Sequence, residues 1–197
     1  MIPETRLAQL LCARFCHDIS GSLGTMVGAL DLVALPGADE EALSLAREAA
    51  GVLRDRLMVM RALCGSGPGD AAGLAELLAT ALAERRTVLE ARLDPGLALE
   101  PTASAMLVAA ALLGAEALPR GGTLRLEGGA TGLSLRVEGR NAGWPAGLAA
   151  ALGGSALDEG ASARYILGPW LAALAADCGW RVALGEGTPG ALQLAPG

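Results

Sequence analysis

Apolar and polar residues follow a helical spacing through the first third of the chain. From Leu43, apolar or small side chains recur every three or four positions over three heptads, as in a helix packed along its whole length. A second long helix is predicted over residues 4–34. The segment between them, residues 34–41, contains a Pro-Gly pair and ends in acidic residues that suit the first turn of a helix. Because this connection is short, we predict an antiparallel helical hairpin over residues 1–66.

A segment rich in glycine and proline, residues 64–73, ends this pattern, and we interpret it as a domain linker. Beyond it, short alternating segments predict strands that lie between apolar helices. We therefore expect residues 72–197 to form an α/β sandwich with a flexible loop over 151–164, and the whole chain to be of the α+β class. The predicted helices are 74–86, 102–118 and 169–179, and the predicted strands are 88–93, 123–127, 133–138, 180–184 and 191–195.

Composition narrows the possible classes of function. Apolar residues make up 52% of the chain and indicate a globular protein. Every basic residue is arginine, which excludes both the lysine of a P-loop and a Schiff-base lysine. A net charge of −6 without a basic stripe argues against nucleic acid as a partner. Since the sequence has neither a secretory pattern nor an uncharged apolar run of about 18 residues, we expect no membrane span and a cytoplasmic protein.

The four cysteines are sparse and irregularly spaced, which is typical of reduced thiols in the core of a cytoplasmic protein. The run from Cys12 to His17 is one residue longer than the C-x-x-C-H pattern of haem attachment. We therefore expect neither haem nor zinc, and no other cofactor or metal of the chain's own. The cysteines are Cys12, Cys16, Cys64 and Cys178.

His17 is the only histidine of the chain and lies in the first predicted helix. On a helical wheel it points away from the main apolar stripe, and its own stripe consists of small residues. Each glycine in that stripe costs the helix about 1 kcal/mol relative to alanine, so the glycines need an explanation. The apolar stripe contains Ala8, Phe15, Ile19, Met26, Leu30 and Val33, and the stripe of His17 contains Ala13, Gly21, Gly24 and Gly28.

Two interpretations of these glycines are open. They could allow close packing of two helices, or they could leave space around a reactive imidazole so that the active site of another protein can reach it. A lone histidine is more often structural than catalytic, but close packing of the stripe would bury His17 as well. An imidazole with the ordinary pKa near 6.5 is mostly neutral at cellular pH and can attack phosphorus. Asp18 could orient the ring or hold its proton.

The segment FCHDISGSLGTMVGALDLV resembles the phosphoacceptor helix of the ChpT-type histidine phosphotransferases of alphaproteobacteria. The resemblance is close from Cys16 to Val33, where the His17-Asp18 pair, Gly24 and GALDLV all fall in register. It is looser over LPRGGTLRLEG and GPWLAALAADCG in the second half. Members of the family commonly have proline five residues after the histidine, where this chain has Ser22, and this departure leaves the usual local helix bend in doubt.

The resemblance implies a dimerising hairpin with a phosphorylatable histidine, followed by a degenerate version of the kinase ATP-binding domain. It also implies that His17 accepts a phosphoryl group from the receiver aspartate of a hybrid histidine kinase and passes it to response-regulator receivers, with any Mg²⁺ in the receiver's own site. Together with the heptads, it predicts a homodimer joined as a four-helix bundle; an intramolecular bundle with later helices would give a similar heptad pattern. The candidate catalytic residues are His17 and Asp18, and the candidate partner-binding residues are Arg14, Ser20, Gly21, Gly24, Thr25 and Gly28.

Two other functions remain open: an active ATP-dependent histidine kinase, and a non-catalytic dimeric scaffold for receiver domains. The sequence argues against the kinase, because the helix ASAMLVAAALLGAEAL lacks the asparagine that holds Mg²⁺-ATP, and EGRNAG lacks the aspartate that reads adenine. Glu138 or Asn141 could substitute for that aspartate.

Overall fold

The computed structural model describes residues 3–33, 40–153, 163–187 and 189–197. Helix α1 (Glu4–Val33) and helix α2 (Glu40–Arg61) run as the two arms of a hairpin, and α2 continues into a wider helical turn at Ala62–Ser66. Both predicted helices are confirmed. Most of the predicted turn between them, residues 34–39, lies outside the described residues.

The hairpin buries small side chains, among them Ala29 on α1 and Ala46 on α2. The heptad stripe predicted on α2 is only partly buried, because the second arm of a single hairpin covers one face of a helix and not two. Leu57 lies in that stripe and is exposed, and on α1 the same holds for Leu30 of the predicted apolar stripe. Each arm therefore presents an apolar face that no described residue covers.

The second part of the chain is a two-layer α/β sandwich. Its five strands follow the order β1-β2-β3-β5-β4, with β1 and β2 parallel and the other neighbours antiparallel. This confirms the predicted α+β class and all five predicted strands. The elements are α3 (Ala71–Ala83), β1 (Thr87–Leu93), α4 (Pro101–Glu116), β2 (Gly122–Gly129), β3 (Gly132–Glu138), α5 (Leu148–Leu152), α6 (Leu167–Asp177), β4 (Trp180–Gly187) and β5 (Gly190–Pro196).

Local capping explains where the helices of the sandwich begin and end. Helix α3 starts three residues before its predicted position, because the side chain of Asp70 accepts a hydrogen bond of 2.8 Å from the backbone N–H of Gly73. Pro169 lies in the first turn of α6, where its missing N–H costs no helical hydrogen bond. The same helix ends before Gly179, which takes the left-handed conformation (φ +69°) that favours glycine.

Part of the predicted loop 151–164 is the end of α5, and residues 154–162 lie outside the described residues.

Helix α4 forms the centre of the core and is buried from Ala103 to Ala115. The core does not stop at the predicted linker, because Val59 and Leu63 from the end of α2 belong to the same buried cluster as α4. The indole N–H of Trp170 also donates to the carbonyl of Leu63 at 3.2 Å. The helical hairpin ends at residue 66 and the sandwich begins at residue 71, but one hydrophobic core includes residues from both sides of this boundary.

The start of the hairpin makes a second contact with the sandwich. Leu7, Leu10 and Leu11 of α1 pack against Ile166, with Trp170 beside them. The hairpin is thus held against the sandwich by the beginning of α1 and by the end of α2, and the middle of α1, where His17 lies, faces the space between the two parts.

The cysteines are free, as predicted, but the prediction that they lie in the core is wrong for three of them. Cys12, Cys16 and Cys64 are exposed, and Cys178 is half-buried. Cys12 and Cys16 are one turn apart on α1, and both side chains are exposed. Within the described residues, no helix is both long enough and apolar enough to cross a membrane.

Candidate functional site

His17 stands on the outside of α1 with 87% of its side chain exposed. The glycines of its stripe are exposed too, and a Cβ atom added at Gly21, Gly24 or Gly28 meets nothing within 4 Å. Close packing against the described part of the chain therefore does not explain the glycines. They leave the surface around the imidazole free of side chains, as the second interpretation of the stripe requires.

Asp18 contacts the imidazole directly, since its Oδ1 lies 3.2 Å from Nδ1 of His17. An ionised carboxylate can only accept a hydrogen bond, so this contact places the ring proton on Nδ1. The other nitrogen, Nε2, then carries the free lone pair on an exposed ring. The pair presents Nε2 as a nucleophile.

Two arginines hold Asp18 in place. Nε of Arg14 donates to Asp18 Oδ2 at 3.0 Å, and Nη1 of Arg56 donates to the backbone carbonyl of Asp18 at 2.6 Å. Burial alone raises the pKa of the Asp18 carboxyl, but its hydrogen bonds with His17 and Arg14 and the nearby charges of Arg14 and Arg85 outweigh burial and lower it below the ordinary value. Asp18 is therefore a carboxylate at cellular pH.

Arg14 also reaches the second domain, where its Nη2 lies 2.8 Å from Oε1 of Glu116 in α4. Only 13% of the Arg14 side chain is exposed. Burial acts to lower the pKa of this guanidinium, but its hydrogen bonds and charge interactions with Glu116 and Asp18 raise it above its ordinary value. The sequence predicts Arg14 at the rim of a partner-binding surface. In the structure its guanidinium forms ion pairs with two carboxylates of its own chain, Asp18 and Glu116.

Arg56 makes the corresponding link from α2. Its Nη2 and Nε lie 2.9 and 3.2 Å from Oε2 of Glu84, just after α3. No sequence pattern identifies Arg56 and Glu84 as parts of this site, and Glu116 was not among the predicted site residues. Glu116 could have been found, because it is the one charged residue of an otherwise apolar helix.

Ser20 and Thr25 are exposed on the same surface of α1. The Ser20 hydroxyl donates to the carbonyl of Cys16 at 2.7 Å, and the Thr25 hydroxyl donates to the carbonyl of Gly21 at 3.1 Å. Both hydroxyls are satisfied within their own helix. Their oxygens keep the capacity to accept a further bond from outside.

Two open clefts of about 410 and 980 Å³ meet beside His17. The smaller lies between α1, α2 and α3, and the larger lies between α1 and the sandwich, where Tyr165 and Pro145 form part of its wall. Both are lined by Arg14, His17 and Asp18, and also by Arg85 from the turn after α3. The imidazole is therefore reached from two sides.

The residues considered for nucleotide binding are placed elsewhere. Glu138, at the end of β3, forms an ion pair of 3.0 Å with Arg125 on the outer face of the sheet. Asn141 is exposed in the following turn. The pocket between α4 and α5 has a volume of about 40 Å³. Among the residues that the structure describes, no group of three or more His, Cys, Asp or Glu side chains could hold a metal ion.

Comparison with known proteins agrees with this architecture. The profile of the family described as histidine phosphotransferase C-terminal domain matches residues 69–188. The chain is 29% identical over 187 residues to the protein phosphotransferase ChpT of Brucella abortus (strain 2308), a match that covers 90% of this chain and 89% of that protein. The structure also matches a bacterial phosphotransferase solved at 1.7 Å, with a TM-score of 0.82 and 25% identity over 98% of this chain and 97% of the other.

Proposed function

The chain belongs to the histidine phosphotransferase family, of the ChpT type, and from this we propose that His17 is the residue that carries the phosphoryl group in a phosphorelay. One observation carries the proposal. The only imidazole of the chain is almost fully exposed, is oriented through Nδ1 by an ionised Asp18, and has open space on either side.

The proposed reaction is an exchange between Nε2 of His17 and an aspartyl phosphate of the partner. The lone pair of Nε2 forms a bond to phosphorus as the bond from phosphorus to the carboxylate oxygen breaks, and the electron pair leaves with that carboxylate. No proton needs to move, because the one on Nδ1 stays in its hydrogen bond to Asp18. The ring becomes a positively charged phosphoimidazolium, which the Asp18 carboxylate stabilises, and the reverse reaction passes the group to a second aspartate.

We propose that the donor is the receiver domain of a hybrid histidine kinase and that the acceptors are response-regulator receivers. The open surface at Gly21, Gly24 and Gly28 supports this, since a receiver has to bring its backbone close to the imidazole for its aspartate to reach Nε2. Magnesium that offsets the charge of the transferring group is expected in the receiver and not in this chain.

We further propose that two chains join through the hairpin as a four-helix bundle. Several large apolar side chains are exposed on the two arms, and exposed apolar surface of this kind usually marks an interface. The second copy fits because it offers the same helices at the same spacing. The exposed residues are Leu23, Val27, Leu30 and Leu32 on α1 and Leu45, Leu57 and Met58 on α2.

Transfer from a labelled partner tests the function. A receiver domain of a hybrid histidine kinase, phosphorylated with ³²P, is incubated with the wild-type chain and with His17→Gln, which changes no buried contact. We expect label on the wild type and none on the variant, and circular dichroism checks that both fold. Equal labelling of the two would exclude His17 as acceptor, labelling by ATP without a partner would favour the kinase, and receiver binding without any transfer would favour the scaffold.

A further inference from the structure

Three turns of the sandwich meet at one end of its sheet, and each carries arginine. Strands β1 and β2 are parallel and begin there, at Thr87 and Gly122, and the antiparallel β3 ends there at Glu138. The residues just outside these strand ends are therefore neighbours in space. We name this surface the arginine end, and it consists of Arg85, Arg86, Arg120 and Arg140.

Backbone contacts confirm how closely the three turns approach. The N–H of Gly122 donates to the carbonyl of Arg86 at 3.2 Å. A Cβ atom added at Gly121 would lie 2.5 Å from that same carbonyl oxygen, and one added at Gly139 would lie 2.7 Å from the carbonyl oxygen of Gly121. The turns can approach this closely because glycine occupies positions 121 and 139. The contacts between turns therefore lie at, or next to, Arg86, Arg120 and Arg140.

No carboxylate of the described residues forms an ion pair with the arginine end, although Asp18 is close enough to Arg85 to interact with its charge. Neighbouring carboxylates are paired with other arginines: Glu84 pairs with Arg56, Glu116 with Arg14, and Glu138 with Arg125. None of the four arginines forms an ion pair with a described residue, although the chain as a whole has a net charge of −6. Arg86, Arg120 and Arg140 are exposed, and Arg85 is half-buried.

The backbone of Arg86 takes a conformation that is unfavourable for a residue with a side chain. It takes the left-handed conformation (φ +54°), which glycine and asparagine adopt with much less strain than arginine. The other described non-glycine residue in this region is Asn141 (φ +62°), which directly follows Arg140. A function of the guanidinium would explain why arginine stands at position 86.

The arginine end borders the clefts beside His17. Arg85 lines both of them, and Leu118 and Pro119, next to Arg120, line the larger one. A partner whose aspartate reaches His17 through the larger cleft must lie against this end of the sheet.

We propose that the arginine end binds an acidic protein surface around the reacting aspartate of the phosphoryl-exchanging partner, and so orients the partner on His17. This inference rests on the proposed function. The partner's reacting face is acidic by its chemistry, since it carries an aspartyl phosphate and the carboxylates that hold a magnesium ion. Opposite charges at the edge of a reacting surface increase the rate of encounter and fix the orientation, and their effect weakens with salt.

The test compares two charge reversals of equal size. Arg120→Glu/Arg140→Glu alters the arginine end, and Arg47→Glu/Arg181→Glu alters two exposed arginines outside both clefts. Binding of the unphosphorylated receiver is measured by biolayer interferometry in a His17→Gln background, so that the result does not depend on transfer. We expect about a tenfold weaker Kd for the first variant and less than about a twofold change for the second, with the difference largely lost at about 0.5 M NaCl.

Transfer kinetics separate docking from chemistry. With His17 present, the first variant should raise KM of the receiver with kcat unchanged, and direct phosphorylation of His17 by potassium phosphoramidate should be unaffected. Failure of that direct phosphorylation in the wild type would count against the proposed function and leave the binding result standing. Equal Kd values for the two variants, a loss confined to kcat, or tight binding of a fluorescent oligonucleotide that requires the arginine end would overturn the proposal.

A substitution at Arg86 distinguishes a function in docking from a function in folding. Arg86→Asn relieves the left-handed backbone strain, so it should raise the melting temperature while it weakens receiver binding. A lower melting temperature with unchanged binding would show that Arg86 serves the fold, and would contradict its place in the docking surface.

Discussion

Arg14 and Glu116 form an ion pair of 2.8 Å that joins helix α1, which carries His17, to the central helix α4 of the sandwich. Arg14 also holds the carboxylate of Asp18, which in turn contacts Nδ1 of His17. A residue of the sandwich therefore takes part in orienting an imidazole on the hairpin. This connection links the sandwich to the proposed phosphotransfer site.

Glu116→Gln tests this connection. The change leaves the mostly buried Arg14 without one of its two carboxylates, so we expect the free energy of unfolding to fall by about 2 kcal/mol. We also expect slower transfer, because Asp18 is held less firmly. Urea unfolding measures the first effect. Glu127→Gln is the matched control, since its pair with Arg92 is exposed and should be worth less than about 0.5 kcal/mol. Equal losses in the two variants would contradict the account.

Asp18→Asn should show a characteristic dependence on pH. The pKa of Asp18 is lower in the folded chain than its ordinary value near 3.8, so its contribution to stability is fully present above that value and is lost as the pH falls through the folded value. We expect the variant to be less stable than the wild type at neutral pH, with the difference shrinking below about pH 4. Urea unfolding at a series of pH values measures this. A difference that stays constant into acid would be inconsistent with the lowered pKa.

Gly24→Ala should separate folding from phosphotransfer. The added Cβ meets nothing within 4 Å, so alanine should stabilise α1 by about 1 kcal/mol. Transfer from the receiver should nevertheless slow, because the methyl group enters the space that the partner needs. Gly51→Ala in α2 has an equally open Cβ position and should give the same stabilisation with unchanged transfer. If Gly24→Ala transfers as fast as the wild type, these glycines do not serve the approach of a partner.

Val27→Asp should dissociate the proposed dimer. Val27 is exposed on the apolar face of the hairpin, so a charge there does not disturb the core of the single chain, but it would be buried between two hairpins. Val88→Asp is the control, because Val88 is also exposed but lies on β1, away from the hairpin. Analytical ultracentrifugation should find the wild type and Val88→Asp as dimers and Val27→Asp as a monomer. A wild-type monomer, or a dimer that survives Val27→Asp, would remove the four-helix bundle from the account.

The features that depend on local pattern could be predicted from the sequence. Alternation of apolar and polar residues was enough to find the strands, as in β3, where Leu133, Leu135 and Val137 are buried and Ser134 and Arg136 are not. Helical spacing also placed His17 on the outside of α1, because the direction of a side chain on a helix follows from its position alone.

The features that depend on tertiary contacts could not be predicted. Arg14 and Glu116 are 102 positions apart, and no local pattern pairs them. The arginine end is likewise assembled from three separate turns, so the sequence shows no basic stripe. The exposure of Cys12 and Cys16 also depends on tertiary contacts, since helical spacing gives the direction of a side chain relative to the apolar stripe but not how far the rest of the chain covers each face.

The central claim is that Nε2 of His17 carries the phosphoryl group. Phosphorus–nitrogen correlation NMR of the ¹⁵N-labelled chain, phosphorylated by its receiver, identifies the bonded atom directly. The account predicts a single phosphoramidate bond at Nε2, with Nδ1 still protonated. A bond to Nδ1, or a phosphoryl group on any other residue, would contradict it.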